Sequence, residues 1–348
     1  ERLMALNSPF MNFTIYVLFV FILYFGSYLI VSSQGTAFGV GQLSSLITYG
    51  FMMLMSLMML SFVFAMIIIA EEGARRICEV LLATSTINNP ENPLTEVTDG
   101  SIDFENVGFS YSGPEGREAL SDVDLHINSG EVIGIIGGTG SAKSTLVQLI
   151  PRLYDVTAGS VSVGGHNVKD YDIDTLRGAV AMVLQKNVLF SGTIKENLLW
   201  GNPDATDEEI LEAARLAQAD RFVQTFPDKY ETHIEQGGNN VSGGQKQRLC
   251  IARALLKRPK VLILDDSTSA VDTKTDSLIR SGLKDFLPDT TKIIIAQRTS
   301  SIEESDKIIV LDNGRINAIG THKELLKDNP IYREVYFSQN KQSVDENQ

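Results

Sequence analysis

From Leu3 to Ala70 the chain contains no Asp, Glu, Lys or Arg, whereas every charge other than Glu1 and Arg2 falls after Ala70. Such a division implies two solvents. A helix needs about 20 apolar residues to cross a bilayer, and Phe10–Val31 and Leu43–Ala70 each supply a run of that kind. A secretory signal would be one shorter run followed by a small-residue cleavage site, so the second run argues against it. A buried hairpin of a soluble protein would still need a charged outer face. The 43% hydrophobic content is therefore concentrated in what reads as a membrane segment.

Between the two runs, Ser32–Gln42 is short, Gly-rich and uncharged, while Arg2 precedes the first run and Arg75 and Arg76 follow the second. Positive residues stay on the cytoplasmic side. The expected path enters from the cytoplasm, turns outside near Gly35–Gly41, and returns near Glu71, which leaves the rest of the chain cytoplasmic. Cys78 and Cys250 both fall in that reducing compartment and are expected as thiols. The net charge of −13 arises wholly after residue 70, which makes nucleic acid a poor partner.

Glu71–Leu82 continues the second run at helical period, with Ile77, Val80 and Leu81 apolar. Thr84–Asp99, with Asn88, Asn89, Pro90, Asn92 and Pro93, disfavours helix. The expected division is residues 1–85 as two spans and a cytoplasmic helical extension, 86–100 as a linker, 101–340 as a soluble domain and 341–348 as a polar tail. After Gly100, short apolar strands such as Val132–Ile136 and Val261–Leu264 alternate with helical stretches such as Ser144–Leu153 and Ser277–Phe286, an α/β pattern. Thr206 with Glu209, and Thr321 with Glu324, have capping-box spacing and predict two helix starts.

The strand Val132–Ile136 runs into Gly137, Gly138, Thr139, Gly140, Ser141, Ala142, Lys143, Ser144 and then, through Thr145, an apolar helix. Strand, glycine loop and helix in that order form a phosphate-binding loop. Glycines let backbone N–H groups converge on phosphates, the helix N-terminus adds its dipole, Lys143 brings a positive charge and Ser144 a hydroxyl for Mg²⁺. Ala142 stands where a glycine is usual and puts one methyl beside the phosphates. Val261–Leu264 ends in Asp265, a position from which a carboxylate holds Mg²⁺ through water. Lys143 and Asp265 together predict a nucleotide site for ATP and Mg²⁺. The four histidines show no metal-ligand spacing.

Val241, Ser242, Gly243, Gly244 and Gln245 stand directly before the helical stretch Lys246–Leu256. Here the sequence resembles the ATP-binding cassette (ABC) family, in which this signature presents a serine hydroxyl and glycine amides at a helix N-terminus to the γ-phosphate held by the opposite subunit. The resemblance covers Ser101–Tyr336, and the preceding spans look like the last two helices of a six-helix exporter domain, its first four lying outside this chain. The implied fold class is all-α transmembrane helices followed by an α/β P-loop NTPase. The resemblance further implies that Tyr111 stacks on adenine, that Gln185 reaches Mg²⁺ and couples to the membrane domain, and that Asp272, after Ser269, Ala270 and Val271, lies in the aspartate loop at the dimer interface.

Four further positions depart from the family pattern. The residue after the Mg²⁺ aspartate is Asp266 where hydrolytic cassettes carry a glutamate that polarises water, one methylene shorter. A base must lie within about 2.6–3.2 Å of its proton, and misplacement by roughly 1 Å costs on the order of 10²-fold. Gln297 stands where the family has its switch histidine, and an amide donates a hydrogen bond but carries no charge. Glu235 and Gln236 replace the usual glycine and glutamate in the loop that senses the membrane domain.

The resulting expectation is a multi-pass cell-membrane half-transporter of exporter type whose own site (Asp266, Gln297) is degenerate. Its signature completes the site of a second, different half-transporter. The alternatives are an ATP-gated regulatory or channel subunit without substrate flux, and a homodimeric exporter with weak ATPase. The spans exclude a soluble cassette acting on DNA or ribosomes, and importers usually keep membrane and nucleotide domains on separate chains. Met52, Met53, Met55, Met58, Met59 and Met66 suit either a pathway for varied apolar substrates or packing against neighbouring helices; packing is the preferred reading because they fall on more than one face.

Overall fold

The computed structural model describes residues 2–34, 36–266 and 271–345; Gly35, Ser269 and Ala270, singled out above, lie outside the described residues. The chain divides into two compact units, Glu1–Thr86 and Ile87–Gln348.

The first unit is a helical hairpin of α1 (Arg2–Ser32) and α2 (Val40–Leu81). Both helices are long and apolar enough to cross a membrane, α1 over Pro9–Ser32. At 1.5 Å per residue the 42 residues of α2 reach roughly 63 Å, about twice a hydrocarbon core. Its charged end, where Arg75 and Arg76 both donate to Glu72, therefore extends past the span. The helices meet where small residues let them: a methyl on Gly26 would clash with the Leu43 side chain and one on Gly50 would press on Ile22, and Phe19 and Phe51 lie 4.4 Å apart. Most of the large apolar side chains face outward, Met52, Phe62 and Ile69 among them.

The second unit is built on two sheets. One is antiparallel, formed by β1 (Ile102–Phe109), β2 (Leu120–Ile127), β4 (Ala158–Val163) and β5 (His166–Asn167) in the order β2-β1-β4-β5. The other contains β3 (Val132–Gly137), β6 (Val180–Val183), β9 (Val261–Asp265), β10 (Thr291–Ile295), β11 (Lys307–Asp312) and β12 (Arg315–Gly320) in the order β12-β11-β3-β10-β9-β6. Its pairs are parallel except β11 with β12. A third pair joins the two-residue strands β7 (Gly192–Thr193) and β8 (His233–Ile234).

Parallel strands covered on both faces read as continuous apolar runs, and β9 and β10 are buried along their whole length. Val261 and Ile263 point into one core with Ile133, Ile135, Ile293 and Ile295. Leu262 and Leu264 point into the other with Ile294, Leu249 and Ile251. Each such side chain contributes about 1.5–3 kcal/mol by burial, and Ile293→Ala is expected to cost about 2–5 kcal/mol.

The remaining helices are α3 (Lys143–Gln148), α4 (Ile173–Ala179), α5 (Ile194–Leu199), α6 (Asp207–Leu216), α7 (Asp220–Val223), α8 (Gly243–Leu256), α9 (Thr273–Phe286), α10 (His322–Asp328) and α11 (Pro330–Asp345). Thr206 and Thr321 close capping boxes at the starts of α6 and α10, as their spacing predicts. Two local expectations are revised. The segment expected as a linker lies from Ile87 onward in the second unit, because Leu94 bridges Tyr171, Asn89 donates to Asp172 and Arg152 donates to the Asn88 carbonyl. The expected polar tail continues α11 as far as Asp345.

Candidate nucleotide site

The C-terminal ends of β3, β9 and β10 lie side by side, with Ile295 in register with Asp265 and Ile135. The loop after β3 needs its first glycine, since a Cβ on Gly137 would collide with the Leu311 carbonyl and the Ser141 hydroxyl. Gly140 takes φ +81°. Ala142 also adopts the left-handed region, φ 69° and ψ 25° at the start of α3, which costs a non-glycine residue about 1–2 kcal/mol. The departure seen in the sequence is thus also a strained backbone position.

Lys143 bends back over this loop and donates to the carbonyls of Gly137 and Gly138, both at 2.8 Å, and to the Ser141 hydroxyl at 3.3 Å. Burial lowers its pKa, opposed by the charges of Asp265 and Asp266. Gly138, Thr139, Gly140 and Ser144 are exposed around it, so the loop presents backbone N–H groups, a hydroxyl and a cation to one open surface. Thr145 is buried behind it and pairs with the Tyr111 hydroxyl at 3.0 Å. Tyr111 is 56% exposed, with its ring edge-on to Phe109 at 4.8 Å and to Tyr154 at 5.2 Å. Held at its hydroxyl and more than half exposed, it keeps ring surface open to solvent.

Asp265 is 6% exposed at the end of β9. Asp266 follows with φ +48°, a conformation that Asp tolerates better than most residues, and its N–H donates to the Ile295 carbonyl at 3.0 Å. Its Oδ2 accepts from two glutamine amides, Gln185 at 3.2 Å and Gln297 at 2.7 Å. Burial pushes the Asp266 carboxyl above the usual carboxylate range, the two amide bonds working against it. The structure therefore brings Gln185, Asp266 and Gln297 together at one oxygen atom, a convergence that the sequence did not disclose.

Ser144 offers a hydroxyl, Asp265 a carboxylate and Gln185 an amide oxygen, the hard oxygen donors that suit Mg²⁺.

The signature lies at the N-terminal end of α8. Ser242 caps α8: its hydroxyl accepts from the Gln245 N–H and its N–H donates to the Gln245 side chain. With the oxygen engaged as an acceptor, the Ser242 O–H remains a donor, and Gly243 beside it is exposed. Val241 packs against the core below. Asp272 caps α9 by accepting from the Thr275 N–H at 3.0 Å, which holds its carboxyl low, and its charge faces Arg248 of α8. The Glu235–Gln236 turn is fixed by the Asn240 side chain, which accepts from the Glu235 N–H, and by Lys246, which donates to the Gly237 carbonyl.

Residues 120–269 match the family model for the ABC transporter. A Staphylococcus aureus protein named for multidrug export, an ATP-binding/permease protein, is 45% identical over 245 residues, 70% of this chain and 42% of its own length. An uncharacterized ABC transporter ATP-binding protein of Mycobacterium bovis is 42% identical over 340 residues, 96% of this chain and 57% of its own length. The chain thus spans about half the length of the curated relatives it matches. Among solved structures, a bacterial Atm1-family ABC exporter with ATP bound superposes with a TM-score of 0.74 at 31% identity, covering 97% of this chain and 59% of that one.

Proposed function

From the premise that this chain carries an ABC transporter domain joined to membrane-spanning helices, we propose that it is a half-transporter that uses ATP at a dimer interface to drive export, with a binding-competent but poorly hydrolytic site of its own. It is a membrane protein with a cytoplasmic nucleotide-binding domain. ATP lies with its adenine on Tyr111 and its phosphates on the Gly137–Ser144 loop. Lys143 exchanges its loop carbonyls for phosphate oxygens, which replaces neutral acceptors with charged ones. Mg²⁺, when bound, neutralises phosphate charge, and Ser144, Asp265 and Gln185 are the residues that would hold it.

The observation that carries the degenerate-site reading is the carboxylate of Asp266 tied to the amides of Gln185 and Gln297. A general base must present a free lone pair to the attacking water, and this short side chain spends one oxygen on two amides. Gln297 donates a hydrogen bond without the charge that an imidazolium would supply. ATP in this pocket is held long and cleaved slowly. Ser242, Gly243 and Gly244, by contrast, are free to present donors to the γ-phosphate in the partner's pocket; together with the altered residues Asp266 and Gln297, this supports a partner that is a different chain with a working base.

The test is steady-state ATP hydrolysis by the assembled transporter. Ser242→Ala or Gly243→Val is expected to reduce turnover by on the order of 10²-fold or more, the scale for losing a pre-organised donor. Asp266→Asn is expected to change it less than about threefold, against the 10²–10⁴-fold that removal of a working base produces. Abolition of turnover by Asp266→Asn, or brisk hydrolysis by this chain as a homodimer, overturns the proposal.

A further inference from the structure

We propose that Gln339, on the last helix of the chain, is a positioning residue for the nucleotide site, clamping the loop that carries Gln297; this rests on reading Gln297 as the group that meets the γ-phosphate. The helix α11 is anchored two turns earlier. Tyr332 is fully buried, its hydroxyl pairs with His322 Nδ1 at 2.7 Å and its N–H donates to the Asn329 side chain. Val335 packs on the same core. Positions 332, 335 and 339 fall at i, i+3 and i+7, one face of a helix, so the face that buries Tyr332 also delivers Gln339.

There its amide closes a three-point contact on the loop after β10. Oε1 accepts from the Thr299 N–H at 2.9 Å and from the Thr299 hydroxyl at 3.2 Å, while Nε2 donates to the Gln297 carbonyl at 2.7 Å. Only this orientation satisfies both sides, since a reversed amide would set its NH₂ against the Thr299 N–H. The far end of the loop is held from α9: Arg280 donates to the Ser301 carbonyl at 3.1 Å, and the Ser301 hydroxyl to Asp276 at 3.3 Å. Thr299, between the two clamps, is buried. With the peptide of Gln297 fixed from behind, its side chain is aimed forward at Asp266, 2.7 Å away.

A side chain acting in this way alters recognition of the third phosphate and not of the first two. The experiment uses the full transporter in lipid nanodiscs, with photolabelling of this chain by 8-azido-ATP and 8-azido-ADP across a concentration series. Gln339→Glu keeps the acceptor but loses the donor to Gln297, and Gln339→Ala loses both. Each is expected to lower the ATP-to-ADP affinity ratio about tenfold, the scale of one hydrogen bond. Retained 8-azido-ADP labelling reports that the domain is folded. A ratio equal to wild type in Gln339→Glu, or equal losses for both nucleotides in Gln339→Ala, overturns the clamp. Lys143→Ala runs in parallel: unchanged labelling by both probes in that variant would instead overturn the site reading on which the clamp rests.

Discussion

The loop after β3 and the segment after β9 sit at the same edge of one sheet, yet their polar groups are held in opposite ways. Lys143 is satisfied by carbonyls of its own loop, partners that a triphosphate displaces at a gain because its oxygens carry full charge. Asp266 Oδ2 is satisfied by the side chains of Gln185 and Gln297, which belong to two other segments and would have to move apart for water to reach that oxygen. On the degenerate-site proposal, one wall is opened by its ligand and the other stays shut. On the same proposal, nucleotide affinity and turnover rest on groups after different strands, β3 and β9, and can be altered separately.

The sharpest way to break this contrast is to rebuild the shut wall. Asp266→Glu with Gln297→His restores the longer carboxylate and a titratable ring, and the paired change is expected to raise hydrolysis in this pocket by on the order of 10²-fold, the lower end for general acid–base assistance. Single-turnover cleavage of ATP under conditions that load this pocket measures it, and no rise would overturn the assignment of a degenerate site to these two residues. On the open wall, Lys143→Ala is expected to weaken ATP binding roughly 10- to 100-fold, the loss of charged hydrogen bonds of about 1.5–3 kcal/mol. Equilibrium binding of a non-hydrolysable analogue decides, and unchanged affinity would remove the loop from the site.

Smaller effects sharpen the same contrast. Tyr111→Ala is expected to weaken ATP about tenfold, within the 1–3 kcal/mol range of base–aromatic stacking, and to leave inorganic triphosphate nearly untouched; equal losses for the two would make Tyr111 a support for Thr145 instead. Ala142→Gly carries the smallest change. Relief of about 1–2 kcal/mol of left-handed strain is set against about 0.5–1 kcal/mol of glycine entropy and a partly buried methyl, leaving at most about 1 kcal/mol of added stability. Thermal unfolding reads it, and a destabilised variant would show that the methyl packs better than its backbone angle suggests.

The parts legible in the sequence were those in which a short run carries its own geometry. A charge-free stretch announces its solvent, glycines before Lys143 announce a backbone that must approach something closely, and Thr206 with Glu209 announces a helix start, because each depends on residues a few positions apart. Asp266 and Gln297 stood out as unusual, but their direct contact joins strands β9 and β10 and required the sheet order. Gln339 gave no local signal at all: its partners are 40 and 42 residues earlier, and a glutamine near the end of a polar helix looks like solvent-facing surface. The segment 86–100, expected as a linker, hides its contacts for a related reason, since Asn and Pro disfavour helix without saying that Asn89 and Leu94 have partners around residues 171–173.

The position of β3 in its sheet sets the timetable on which this chain becomes a folded object. Its two neighbours are β10 and β11, at residues 291–295 and 307–311, more than 150 residues farther along. On the ribosome, the strand that ends in the phosphate loop therefore emerges with both edges open and stays so until nearly all of the domain has been synthesised. Closing a loop of that length adds little free energy, since the cost grows only with the logarithm of length, but non-local parallel pairing is slow to form. Through that interval an apolar strand with two unpaired edges is exposed to association with other chains, while the two membrane helices ahead of it have already left the ribosome. A nascent chain stopped short of β10 would have made the whole glycine loop and still possess no rigid base on which to hold it.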